Sequence, residues 1–128
     1  MKVKFTFILA LLINIDVLAC SCVEVPDLPT SYLRAHTVLV ATLEMVDQDK
    51  FGQPKFNWQV NEVIKGEKNI SPEPMSQGLT SCDPILKDGQ EWLLFLEHEN
   101  KVRLGWCTTN RQIQYLSLNW RSELDENP

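Results

Sequence analysis

Hydrophobic and polar positions divide the chain into a few clear elements. From Thr37 to Val46 apolar side chains fall on both faces, with Val38, Leu39, Val40, Leu43, Met45 and Val46, as in a long strand buried on both sides. Phe56, Trp58, Val60, Glu62 and Ile64 alternate with Asn57, Gln59, Asn61 and Val63, which predicts a half-buried strand ended by Lys65-Gly66. The polar stretch from Asp47 to Pro54, carrying Gly52, reads as the hairpin loop between them. Glu91 to Glu97 forms a compact apolar strand around Trp92-Leu93-Leu94-Phe95-Leu96. His98-Glu99-Asn100 then turns the chain. Val102, Leu104 and Trp106 alternate with Lys101, Arg103 and Gly105, so this pair predicts a second hairpin.

Glu67 to Gly78 carries Pro72 and Pro74 and predicts a connection with a short edge strand near its end. Asp83 to Gln90 contains Pro84 and an Asp88-Gly89 turn signal. Two helices are expected. Pro29 favours a helix start, giving a short helix over residues 29–35. Ile113, Leu116, Trp120 and Leu124 recur at three- and four-residue spacing, giving a helix from about Tyr115 to Leu124 whose stripe packs on the sheet. Trp58, Trp92 and Trp106 are read as core residues. Several short strands and a flanking helix predict a small β-barrel.

The N-terminus has a different character. Met1-Lys2-Val3-Lys4 is a positive start, Phe5 to Ile15 is almost continuously apolar, and Val17-Leu18-Ala19 offers a cleavage pattern. Residues 1–19 therefore read as a secretory signal peptide, too short and closed by Asp16 to be a membrane span. Removing Lys2, Lys4 and Asp16 leaves 10 basic and 16 acidic residues, so the net charge moves from −5 to −6. An acidic chain without a basic cluster is a poor binder of nucleic acid, since phosphate contacts need cations. Residues 20–128 are long enough for one domain.

Export changes the meaning of Cys20, Cys22, Cys82 and Cys107. An even number in a small secreted domain predicts two disulfides. A Cys20–Cys22 bridge would close a very tight ring. The N-terminal pair is therefore expected to bond to Cys82 and Cys107, in either combination, with each long loop worth roughly 4 kcal/mol. A Cys-x-Cys metal site finds no third or fourth ligand nearby, and His36 and His98 fit no zinc spacing.

Catalytic patterns are missing from the sequence. Ser21 has no base partner, His98 reads as a solvated turn histidine, and Glu97 with Glu99 reads as surface charge. There is no Gly-rich phosphate loop and no metal motif. An enzyme and a bound cofactor are not expected.

The residues that remain are Cys20-Ser21-Cys22-Val23, directly after the cleavage site. Together with Val63-Ile64-Lys65-Gly66, Thr80-Ser81-Cys82, Glu91-Trp92-Leu93-Leu94 and Leu116-Ser117-Leu118, they give the chain a resemblance to the netrin-like N-terminal domain of the tissue inhibitors of metalloproteinases. It covers nearly all of residues 20–124. It implies a five-stranded OB-like β-barrel with a short N-terminal helix and a C-terminal helix packed on it, and bridges Cys20–Cys82 and Cys22–Cys107. It also implies a secreted, extracellular or periplasmic, monomeric inhibitor of a zinc metalloprotease. In that mechanism the free α-amine and carbonyl of Cys20 chelate the target's catalytic zinc. Ser21 enters the specificity pocket, and Cys22, Val23, Thr80 and Ser81 make neighbouring contacts.

The chain departs from the family pattern in carrying no counterpart of a third disulfide or of the C-terminal domain, and in placing Glu24 and Val25 where proline is usual. The alternative function is a netrin-like module that binds a protein or glycan without inhibiting. A further variant is a lipoprotein anchored through Cys20, since Val17-Leu18-Ala19-Cys20 partly resembles a lipobox.

Overall fold

A computed structural model describes residues 20–126. The signal-peptide assignment to residues 1–19 lies outside the described residues. The first helix, α1 (Leu28–Arg34), begins where Asp27 accepts a hydrogen bond from the Thr30 N–H at 2.9 Å, with Pro29 in its first turn. That side-chain cap satisfies a donor that the helix cannot. The strands are β1 (Thr37–Gln48), β2 (Pro54–Lys65), β3 (Met75–Ser76), β4 (Glu91–Leu96) and β5 (Arg111–Gln112). A 3-10 turn (Ile113–Tyr115) and a short helix α2 (Trp120–Glu123) follow.

These strands form one antiparallel sheet in the order β3-β2-β1-β4-β5. The fold is thus mainly β, with two short helices, and the sheet is open: no pairing among the described residues joins β3 to β5. β1 lies at its centre, and Val38, Leu39, Val40, Ala41 and Leu43 are all buried, so both faces are covered as the sequence predicts. The burial stops there. Met45 and Val46 are exposed: β4 pairs with β1 only as far as Thr42, although Phe56, opposite Met45 on β2, is buried.

Three register shifts interrupt the β1–β2 ladder. Two of them leave Asn61 and Ile64 of β2 without a partner residue on β1. Such bulges reset which face a strand presents. Phe56, Trp58, Val60 and then Val63 pack on one face with Leu39, Leu43 and Leu94. Ile64 crosses to the opposite face with Val38, Phe95 and Trp120. The strict alternation expected to carry Ile64 along with Phe56 and Trp58 is therefore corrected by the bulges.

The C-terminal stripe packs as expected, but not as one helix. Ile113, Leu116, Trp120 and Leu124 all join the second cluster. Leu116 is extended (φ −83°, ψ 157°), and Asn119 starts α2. Ser117 hydrogen-bonds Glu123, and its carbonyl accepts from the Trp120 N–H at 3.2 Å. Ser and Asn satisfy backbone groups locally and so favour helix ends over interiors. Leu118, which the expected helix contained, is fully exposed.

The second predicted hairpin is the larger correction. The chain turns at 97–100, with Glu99 at φ +50°, but residues 101–106 form no ladder with β4. The buried Asn110 side chain takes over instead. Its Oδ1 accepts from the Phe95 N–H at 2.6 Å and its Nδ2 donates to the Arg103 carbonyl at 2.6 Å. One amide thus satisfies a β4 donor and a loop acceptor, which removes the need for a continuous strand. Val102 and Leu104 still lean on the core. Trp92 is buried and Trp58 half-buried, but Trp106 is 70% exposed and is not a core residue.

Lys65 fastens α1 to the sheet. Its Nζ donates to the Tyr32 carbonyl at 2.8 Å and sits 5.0 Å from the Tyr32 ring centroid. A cation there complements the carbonyl end of the helix. Among the described residues no helix is long and apolar enough to cross a membrane.

Candidate functional site

The N-terminal segment has no regular structure from Cys20 to Val25, and its placement comes from sulfur. Cys20 is bonded to Cys82, with Cα atoms 5.6 Å apart, and Cys22 to Cys107, with Cα atoms 5.2 Å apart. The two loop segments that receive these bonds are themselves joined. The Trp106 N–H donates to the Cys82 carbonyl at 3.3 Å. Residues 20–22, 82 and 106–107 therefore make one cross-linked unit. Both combinations that the sequence left open place the N-terminus near these loops; the pairing observed is the one the family resemblance implies.

The loop around Cys82 is ordered by side chains. The Thr80 hydroxyl and N–H both donate to Asp83 Oδ2, at 2.7 and 3.0 Å, and the Asp83 N–H donates to the Thr80 carbonyl at 3.2 Å. Those two donations, the hydroxyl first, hold the Asp83 carboxyl below its ordinary value of 3.8. Next to it, Gln77 donates to the Pro84 carbonyl at 2.8 Å and accepts from the Leu86 N–H at 2.7 Å. Gly78 packs so closely on the Asp83 side chain that any Cβ there would collide with it. A turn closed in this way holds Thr80 and Ser81 at the surface.

The exposure of the unit is its main property. Ser21, Cys22, Thr80 and Ser81 are exposed and Cys20 is half-buried. Val23 is 93% exposed, Leu79 85% and Trp106 70%. Each lies within three residues of a bridged cysteine. Large apolar side chains held in water around a rigid segment are characteristic of surfaces that meet another protein. The sequence reading named Ser21, Val23, Thr80 and Ser81 but missed Leu79 and Trp106. Trp106 was assigned to the core, and only its position beside Cys107 pointed elsewhere.

A recess of about 70 Å³ lies against this loop, lined by Met75, Ser76, Gly78, Asp83, Pro84 and Leu86. That is far below the size of a cofactor or small-molecule pocket. No group of three or more His, Cys, Asp or Glu that could hold a metal occurs among the described residues. All four cysteines are bonded. What the unit offers chemically is therefore main chain, hydroxyls at Ser21, Thr80 and Ser81, and a terminal amine if the chain begins at Cys20.

Comparison of the chain with protein-family models gives no match. Comparison with curated proteins gives none either.

Proposed function

We propose that the chain, once processed to begin at Cys20, is a secreted inhibitor of zinc metalloproteases of the netrin-like type, its sheet being an open variant of the OB-like barrel. The observation that carries this reading is the Cys20-Ser21-Cys22 segment, half-buried at Cys20 and exposed at Ser21 and Cys22, and bridged at both cysteines to loops that are bonded to each other. A segment held in this way loses little freedom when it enters a cleft, so less of its binding energy is lost to ordering.

The chemistry follows from the atoms available. The α-amine and carbonyl of Cys20 form a five-membered chelate with a metal that has open coordination positions, as the catalytic zinc of a protease has. The amine must be neutral to donate its lone pair. Its ordinary pKa of about 7.7–8.0 leaves much of it protonated at neutral pH, and zinc drives the proton off. Ser21 is the next side chain and enters the pocket beside the metal. Val23, Leu79 and Trp106 supply apolar contact on the flanks, and Thr80 and Ser81 supply hydroxyls.

The Cys20 sulfur bears on the lipoprotein variant. A thioether-linked lipid and the bridge to Cys82 compete for the same atom, and the described form is bridged. The second reading, a module that binds a protein or glycan without zinc chemistry, draws on the same exposed Leu79 and Trp106. The test is an inhibition assay of the Cys20-start, oxidised protein against a panel of secreted zinc proteases. Saturable inhibition approaching one-to-one stoichiometry is expected for at least one. Folded, fully bridged protein that inhibits none would favour the binding module.

A further inference from the structure

The chain has two histidines, and the fold brings them together. His36 precedes β1 and His98 follows β4, and their ring centroids are 6.4 Å apart with planes inclined at 49°. From this pairing we infer that His36 and His98 form a surface site for a divalent first-row cation of the kind that favours imidazole, Zn²⁺, Ni²⁺ or Cu²⁺. The inference does not depend on the inhibitor reading.

The geometry is compatible with one ion between the rings. A metal–nitrogen bond of about 2.0–2.1 Å puts each ring centroid roughly 3.2 Å from the ion, so two imidazoles on one tetrahedral ion have centroids about 5 Å apart, and about 6.4 Å only when they lie trans across it. The observed 6.4 Å equals the trans value, so a tetrahedral ion requires the rings to approach by about 1 Å. Both side chains are exposed, so the rings can change rotamer and approach one another without disturbing the core.

The backbone on the His36 side is fixed. The His36 N–H donates to the Leu96 carbonyl at 2.9 Å. A Cβ on Gly66 would lie 2.7 Å from the His36 carbonyl oxygen, so β2 closes on it from the other side. His98 is two residues beyond Leu96, in the turn that ends β4. The two rings are thus presented by adjacent ends of neighbouring strands, and Glu97 and Glu99 add negative charge beside His98 in the sequence. With no third protein ligand among the described residues, water completes the coordination. Imidazole selects this class of cation over Mg²⁺ and Ca²⁺, which prefer oxygen.

The experiment is a titration of the oxidised, Cys20-start protein with Zn²⁺, followed by calorimetry and by the histidine ring resonances in NMR. One equivalent is expected to bind, with both rings responding along a single curve and no response to Mg²⁺. Two ligands at fixed short range raise affinity by roughly a hundredfold over one, so His36→Ala and His98→Ala should each lose about that factor. Absence of Zn²⁺ binding, separate midpoints for the two rings, or unchanged affinity in either variant would overturn the site. The ring resonances of the unmutated protein decide the matter should a variant fail to fold. They also separate this site from zinc held at the N-terminus, which leaves both rings unmoved.

Discussion

The β1–β2–β4 slab and the loop unit around the disulfides are built on different principles. In the slab, ladder hydrogen bonds run along the strands, and Leu39, Leu93 and Leu94 are wholly buried between neighbours. In the loop unit there is almost no ladder. Gln77, Asp83 and Asn110 bond the main chain with their side chains, and two disulfides replace the missing core. The first region is held by apolar area removed from water. The second is held by a few specific bonds, which allows Val23, Leu79 and Trp106 to remain in water.

The comparison is broken most severely from the slab side. Leu94→Asp puts an unpaired carboxylate among buried apolar side chains and should cost more than about 4 kcal/mol, enough to prevent folding of a marginally stable domain. Glu99→Lys, on the exposed turn, should change stability by less than about 0.5 kcal/mol. Denaturant unfolding of both measures the contrast, and equal tolerance would contradict the register given for β4.

Removing a bridge tests the loop unit. The double replacement Cys22→Ser with Cys107→Ser avoids a stray thiol and should lower stability by about 2–5 kcal/mol. Backbone NMR shifts in β1 and β4 should stay in place while those of residues 20–25 and 105–109 move. Widespread change across the slab would show that the two regions are not distinct.

Asn110→Ala probes the link between the regions. The Phe95 N–H loses its acceptor in a buried setting, so a loss of about 1–3 kcal/mol is expected, with faster amide exchange at Phe95. Unchanged exchange would mean that the side chain is not the partner of β4.

The smallest effect is a pH effect at Asp83. Its folded-state pKa lies below the unfolded value because Thr80 donates to the carboxylate. The turn's contribution is therefore fully present above the ordinary carboxylate range and is lost as pH falls through the lower, folded value. The Thr80 amide resonance should titrate there, and Asp83→Asn should abolish that titration.

The slab was largely legible in the sequence. Runs such as Trp92 to Leu96 and the apolar mass of Val38 to Leu43 specify strands whatever surrounds them, and Pro29 marks the start of α1. The loop unit was legible only through its cysteines. Hydrophobic alternation at Val102, Leu104 and Trp106 resembles a strand, and nothing local says that Asn110 will take the hydrogen bonds such a strand would make. The bulges at Asn61 and Ile64 are likewise set by pairing with β1, a tertiary fact. Ser21, Thr80 and Ser81 were named as candidates through the family resemblance and their neighbours Cys20, Cys22 and Cys82, and the fold leaves all three exposed. The meeting of His36 and His98 depends on the β1–β4 register and had no sequence signal.

The proposal that the bridged N-terminus is the inhibitory element is tested most directly by adding one alanine before Cys20. The extended protein keeps both disulfides and the whole sheet, but moves the free amine away from the Cys20 carbonyl and out of chelating position. Against a protease that the Cys20-start protein inhibits, the account predicts that the extended form folds normally and loses at least about a hundredfold in inhibition constant, the larger part of a chelate's contribution. Equal inhibition by the two forms would contradict zinc chelation by Cys20.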